Sequence, residues 1–303
     1  QTAGTVNVAA SHAHTVTLTF NSSTSIPVYR DVILGKKSNA APTVSGVQLN
    51  HDSNIVLTPN ATTSIDINFT VTDADGCADV FTSGNVTSTA AQTGFGGYCT
   101  ENNLNCYRVN TVTETDYSSG TTGKATTTVG IYYFANPTDA FSASSSAWWI
   151  AFVEPTDSQG ASSSASGGSR DILTLSALDV VSSSISYGTV AASSTTGGTN
   201  VTSTIRNAGN DSITIKVSGT ALVLGSNEIA TSSQHYATSS FTFGGLEQAL
   251  TGTLTTITGF LFARPTSTTF VEKDLFWGLT VPAGSTTGAH TGINTFNAVY
   301  DGP

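Results

Sequence analysis

The sequence predicts an all-β protein of two β-sandwich domains led by an extended N-terminal strand. Three observations predict it. Apolar and polar residues alternate in Ile65-Asp66-Ile67-Asn68-Phe69-Thr70-Val71, in 129–134, in Ile213-Thr214-Ile215-Lys216-Val217 and from Ile293 to Val299. That is the period-2 signature of a strand with one buried face. Turn signals such as Asp75-Gly76, the run 207–211 and Pro282-Ala283-Gly284 separate the runs at intervals of roughly 8–12 residues, as sandwiches require. A length of 303 residues accommodates about two such units.

Taken in chain order, residues 1–41 form an N-terminal arm. Its even positions read Val6, Val8, Ala10, His12, His14, Val16, Leu18, Phe20, with small or polar residues between them. Fully extended, this stretch reaches about 50 Å, too long for one sheet. Two shorter strands are expected, Thr5–Ala10 and Thr15–Phe20. The first domain follows at 42–158. Residues 159–170, Gly/Ser-rich and without large apolar side chains, read as a flexible linker. The second domain occupies 171–303.

The first domain runs from Ile55-Val56-Leu57-Thr58-Pro59 into Val71-Thr72-Asp73-Ala74-Asp75-Gly76 and closes with Trp149-Ile150-Ala151-Phe152-Val153-Glu154-Pro155-Thr156-Asp157-Ser158-Gln159-Gly160. This pattern resembles the immunoglobulin-like modules of bacterial and archaeal surface proteins. There a strand runs into an Asp-Gly turn and a late aromatic strand ends in Asp-x-x-Gly. The second domain's Leu275-Phe276-Trp277-Gly278-Leu279 and its closing stretch from Gly288 to Phe296 resemble the same modules, and more distantly biofilm-fibre subunits of the camelysin type. The resemblance implies two immunoglobulin-like sandwiches and a cell-surface or fibre role.

Composition narrows the function. Only 10% of residues are charged and the net charge is −10, so no basic stripe exists to hold nucleic acid. There is no methionine, no charged leader and no run of 18 apolar residues. A secreted or cell-surface product whose leader has been removed, without a membrane span, is the expectation. Of the three cysteines, Cys99 and Cys106 bound a short polar loop and form the preferred disulfide among three possible pairings. Closing that loop would stabilise it by about 2–3 kcal/mol. Cys77 is then a small buried thiol or an intermolecular bridge. Candidate glycosylation sequons begin at Asn21, Asn60, Asn68, Asn85, Asn200 and Asn210.

Hard oxygen donors at Asp73, Asp75 and Asp79, with Asp157 and Glu154 beside them if the late strand ends at the same pole, could hold calcium. The competing reading is an Asp-Gly turn whose carboxylates cap backbone amides. No other cofactor is expected. His12 and His14 share one strand face but lack a third ligand. No Gly-x-Ser-x-Gly or paired Glu nominates an enzyme. Trp148-Trp149, Tyr132-Tyr133 and Trp277 could stack on sugars where a ring faces outward.

The leading expectation is a structural subunit of an extracellular filament or surface layer, whose partners are copies of itself. Val6, Val8, Ala10, Val16, Leu18 and Phe20 would be donated as a strand to a neighbouring copy, the competing reading being an ordinary first strand inserted into its own domain. The alternative is a monomeric cell-surface adhesin or carbohydrate-binding module that contacts glycans or a neighbouring cell surface.

Overall fold

The structure, a computed structural model, describes residues 38–97, 99–117, 120–182 and 184–302. The donor-strand residues Val6, Val8, Ala10, Val16, Leu18 and Phe20, the pair His12 and His14, and the Asn21 sequon lie outside the described residues.

The chain is all-β, built from several antiparallel sheets. Among the described residues of the N-terminal half the strands are β1 (Thr43–Leu49), β2 (Thr62–Thr72), β3 (Asn85–Gln92), β4 (Cys106–Val109), β5 (Glu114–Asp116), β6 (Thr122–Tyr132), β7 (Trp149–Thr156) and β8 (Ala165–Arg170), with a 3-10 turn at Asn50–Asp52 and a short α-helix, α1 (Cys77–Phe81). They form two four-stranded sheets, β1-β2-β6-β5 and β4-β3-β7-β8. The alternation read in β2 is realised side chain by side chain: Ile65, Ile67, Phe69 and Val71 are buried, and the residues between them are not. They meet Val86, Ala90, Trp149, Ala151 and Val153 of the opposite sheet in one core. Each large apolar side chain so buried contributes about 1.5–3 kcal/mol.

The outer face of β2 and β6 shows what a hydroxyl-rich surface does in place of ion pairs. β2 and β6 pair along their whole length, from Thr62 opposite Tyr132 to Thr72 opposite Thr122. Across that ladder Thr128 donates to Asp66 Oδ1 (2.9 Å) and Thr126 to Asn68 Oδ1 (2.8 Å). Such cross-strand pairs stabilise a sheet by about 0.2–1 kcal/mol each.

The segment expected as a linker is corrected by the structure. Residues 165–170 form β8, which pairs antiparallel with β7. Their glycines serve close approach: a Cβ on Gly167 would lie 2.4 Å from the Val47 carbonyl oxygen, and one on Gly168 2.2 Å from the Leu49 amide nitrogen. Gly168 also holds φ +69, which L side chains rarely adopt. The first unit accordingly runs past residue 158. Ile172 is fully buried in its core, and Leu173 N–H donates to the Ile55 carbonyl.

The C-terminal half comprises β9 (Leu178–Val180), β10 (Ser194–Thr195), β11 (Val201–Asn207), β12 (Ile213–Gly219), β13 (Leu222–Leu224), β14 (Asn227–Ile229), β15 (Gln234–Ala237), β16 (Gln248–Ala249), β17 (Thr255–Phe262), β18 (Val271–Val281) and β19 (Asn294–Tyr300). One sheet runs β16-β15-β18-β11-β9, with β10 also on β18, and a second runs β17-β12-β19. Ile205, Ile213, Ile215, Val217, Phe260 and Trp277 anchor a second core, separate from the first.

The halves join through the turn after β11. Asn210 is fully buried; its Oδ1 accepts from Leu175 N–H (2.7 Å) and its Nδ2 donates to the Leu173 carbonyl (3.1 Å). Arg264 donates to the Phe134 carbonyl (3.2 Å) and to Asn136 Oδ1.

That packing bears on the sequons. Asn210 has no room for a sugar, because its amide is a structural joint. Asn68 is half-buried with Oδ1 engaged, and Asn200 Oδ1 accepts from Ser240 and from Phe241 N–H. Asn60 and Asn85 are exposed. Glycopeptide mass spectrometry of folded native protein is therefore expected to find Asn210 bare. A glycan there would contradict the junction.

Candidate functional site

Two places in the structure carry unspent chemistry, and the first is a groove in the C-terminal half. Among the described residues, β9 pairs with β11 on one side only, and β19 pairs with β12 on one side only. Between these two edges opens a groove of about 1050 Å³. Val180 and Ser203 line it from one sheet, and Asn294 and Phe296 from the other. Its third wall is the segment 184–190, where Ile185 and Tyr187 turn inward while Ser184, Ser186 and Gly188 are exposed.

That segment has the alternation of a strand without its pairing. Among the described residues, no main-chain hydrogen bond ties 184–190 to β9 or to β19. The Tyr187 hydroxyl ties the segment to the sheet by donating to Gln234 Oε1 (3.2 Å), and burial pushes that phenol's pKa well up. The apolar residues at this seam, Leu178, Val180, Ile185, Tyr187, Phe296 and Ala298, pack on the core yet remain only half-buried. Three buried polar atoms along it, Ser182 Oγ, Ser203 Oγ and Asn294 Oδ1, have no partner. Native interiors rarely leave such groups unpaired. Among the described residues, both signs mark a seam between the two sheets that is left open.

The second place is an acidic pole in the N-terminal half. One carboxylate oxygen from each of Asp73, Asp79 and Asp157 lies within 4.8 Å of the others. Asp73 follows β2, Asp79 sits on α1 and Asp157 follows β7, so both sheets contribute. Gly76, at φ 110, turns the chain from β2 into α1 and so brings Asp79 back over Asp73. Of the expected set, Asp73 and Asp79 lie together with Asp157, the residue expected beside them if β7 ended at this pole, whereas Asp75 is not among the three. Asp75 Oδ2 accepts from Ala40 N–H (2.9 Å).

Much of the pole behaves as capped turns. Asp73 Oδ1 accepts from Asp75 N–H (2.8 Å), and Asp157 Oδ1 from the amides of Gln159 (2.8 Å) and Ala161 (2.9 Å). Asn39 donates to Asp157 Oδ2 (2.7 Å), and Ser158 donates to Asp79. Asp73 Oδ2, however, is buried without a partner, in a residue only 1% exposed. Burial first, and then the neighbouring charges of Asp75, Asp79 and Asp157, raise the Asp73 pKa above the ordinary carboxylate value.

The remaining sequence candidates fall out simply. Cys99 and Cys106 form a disulfide, and Cys77 is a buried free thiol whose Sγ faces the Val71 carbonyl. Trp149 and Trp277 are fully buried and Tyr133 nearly so, whereas Trp148 is 46% exposed. Neither edge-strand feature of the groove was open to sequence reasoning; the alternation of Ile185 and Tyr187 with Ser184, Ser186 and Gly188 was the signal available. No helix among the described residues is long and apolar enough to cross a membrane. No family model and no curated protein matches this chain.

Proposed function

We propose that this chain is a structural subunit of an extracellular filament or surface layer, made of two immunoglobulin-like sandwiches and assembled by strand donation. The N-terminal arm of one copy enters the unfinished edge of the next. The observation that carries this reading is the groove between β9 and β19, with its half-buried apolar seam and unpaired polar atoms. A strand laid there pairs with an open edge and covers the seam, the two components of β-augmentation.

The occupant is the arm, and its length and root favour a partner molecule. Residues 1–37 can extend to roughly 120 Å. Its root is held on the N-terminal half, where Asn39 and Ala40 bond to Asp157 and Asp75, while the groove lies in the C-terminal half. With the donor rooted in one half and the acceptor groove in the other, copies joined arm to groove make a heterologous, head-to-tail contact, and such contacts propagate as filaments where they do not close. Val6, Val8 and Ala10, or Val16, Leu18 and Phe20, supply alternate apolar side chains at strand spacing. The disulfide Cys99–Cys106 suits an oxidising, extracellular setting.

Negative-stain microscopy and light scattering test this directly. Full-length protein is expected to form fibres, and protein lacking residues 1–20 to stay as discrete particles that bind a synthetic peptide of residues 1–20. Fibres from the truncated protein, or truncated protein that ignores the peptide, would end the proposal. A second reading, a carbohydrate-binding surface module, has one observation in its favour. Trp148 is exposed, and its main chain pairs with Thr93 two residues before Phe95, itself 45% exposed.

A further inference from the structure

We propose that Asp73, Asp79 and Asp157 form a divalent-cation site with the oxygen preference of calcium. One oxygen each of Asp73 and Asp157 suffices for the backbone amides of the two turns, and Asn39 takes the second oxygen of Asp157. Nothing of that kind reaches Asp73 Oδ2, which is buried and has no donor. Burying a carboxylate oxygen without a donor is costly, and placing two further carboxylates beside it raises the cost. Among the described residues, no Lys or Arg forms an ion pair with any of the three. A bound cation removes both penalties together.

The dimensions agree. Ca²⁺ holds its oxygen ligands at about 2.3–2.6 Å, so two ligands of one ion are at most about 4.6–5.2 Å apart. The three carboxylate oxygens all lie within 4.8 Å of one another. Three carboxylates supply three to six of the six to eight oxygens that Ca²⁺ takes, and water or main-chain carbonyls complete such shells. The ligands come from the end of β2, from α1 and from the end of β7, so the ion clamps the two sheets together at this pole. Through Asn39 on Asp157 it also steadies the chain directly behind the N-terminal arm. The binding claim does not depend on strand donation: it concerns the other half of the molecule and is read without any assembly assay.

The test uses the full chain, stripped with a chelator and titrated with CaCl₂ by calorimetry, with MgCl₂ in parallel. One saturable site is expected, with Ca²⁺ preferred. At a hundredfold excess over Kd the melting temperature should rise by roughly 5–10 °C. Asp73→Asn keeps the oxygen that caps Asp75 and is expected to weaken Ca²⁺ binding at least tenfold, with an unchanged circular dichroism spectrum in chelator. Should that variant fail to fold, Asp79→Asn replaces it, because the Asp79 carboxylate caps no backbone amide. The site is refuted if millimolar Ca²⁺, the weak end of extracellular sites, gives neither heat nor thermal shift. It is equally refuted if a folded variant binds Ca²⁺ as the parent does.

Discussion

Gly209→Ala is expected to lower the melting temperature by roughly 6–12 °C, from a loss of about 3 kcal/mol at about 2–4 °C for each kcal/mol. The cause is one methyl group in the junction between the halves. A Cβ on Gly209 would stand 1.8 Å from the Leu175 carbonyl oxygen, 2.9 Å from its carbon and 3.0 Å from the Ala177 nitrogen. All three are backbone atoms, so no side chain can rotate out of the way. The turn must lift from the segment 173–177, and with it go the main-chain bonds of Ala208 to Ala177 (3.0 Å) and Asn210 to Leu175 (3.1 Å). The Asn210 side chain would also lose its two bonds, leaving buried groups unpaired at about 1–3 kcal/mol each. Because each half has its own core, calorimetry should also show the single transition broaden or split. Gly198→Ala is the control, since its nearest neighbour is the Thr242 hydroxyl at 3.4 Å. A Gly209→Ala melt within a degree or so of the parent would show that this contact is not needed.

Two other glycines, Gly167 and Gly168, mark where the sequence misled. The strands with strict alternation, β2 and β12 above all, could be read residue by residue, because a half-buried strand writes its burial into its own order. The stretch 159–170 could not. A strand whose backbone must approach another within van der Waals contact gives up side chains, and Gly167 and Gly168 therefore carry the composition of a linker while lying against β1. Helix α1 escaped notice for a different reason: five residues are too few to display a 3.6 period. At the acidic pole, Asp73 and Asp79 could be read from local spacing, but Asp157 joins them only because β7 ends beside β2. The groove was the least legible feature. It is defined by pairings that β9 and β19 do not make among the described residues, and a missing long-range partner leaves no local pattern in either strand.

Two adjacent tryptophans should differ by nearly an order of magnitude in their effect on stability, with Trp149→Ala costing about 3–5 kcal/mol and Trp148→Ala no more than about 0.5 kcal/mol. Neighbours on a strand face opposite ways. Trp149 turns inward, where it is fully buried, its ring 5.8 Å from that of Tyr107 and its indole N–H donating to the Asn136 carbonyl at 2.9 Å. Truncation would open a cavity between the two sheets and strip that carbonyl of its donor. Asn136 also receives Arg264 from the other half, so the loss would reach the junction as well. Trp148 turns outward, 46% exposed, and its contacts with Thr93 are made by main-chain atoms that alanine retains. Denaturant unfolding of the two variants checks the contrast, and equal losses would overturn the assignment of faces. The pair also separates the two functional readings. A carbohydrate-binding surface built on Trp148 loses glycan retention in a variant whose stability is intact. A strand-donating subunit keeps its fibres in that same variant, because its assembly depends on the groove in the other half of the molecule.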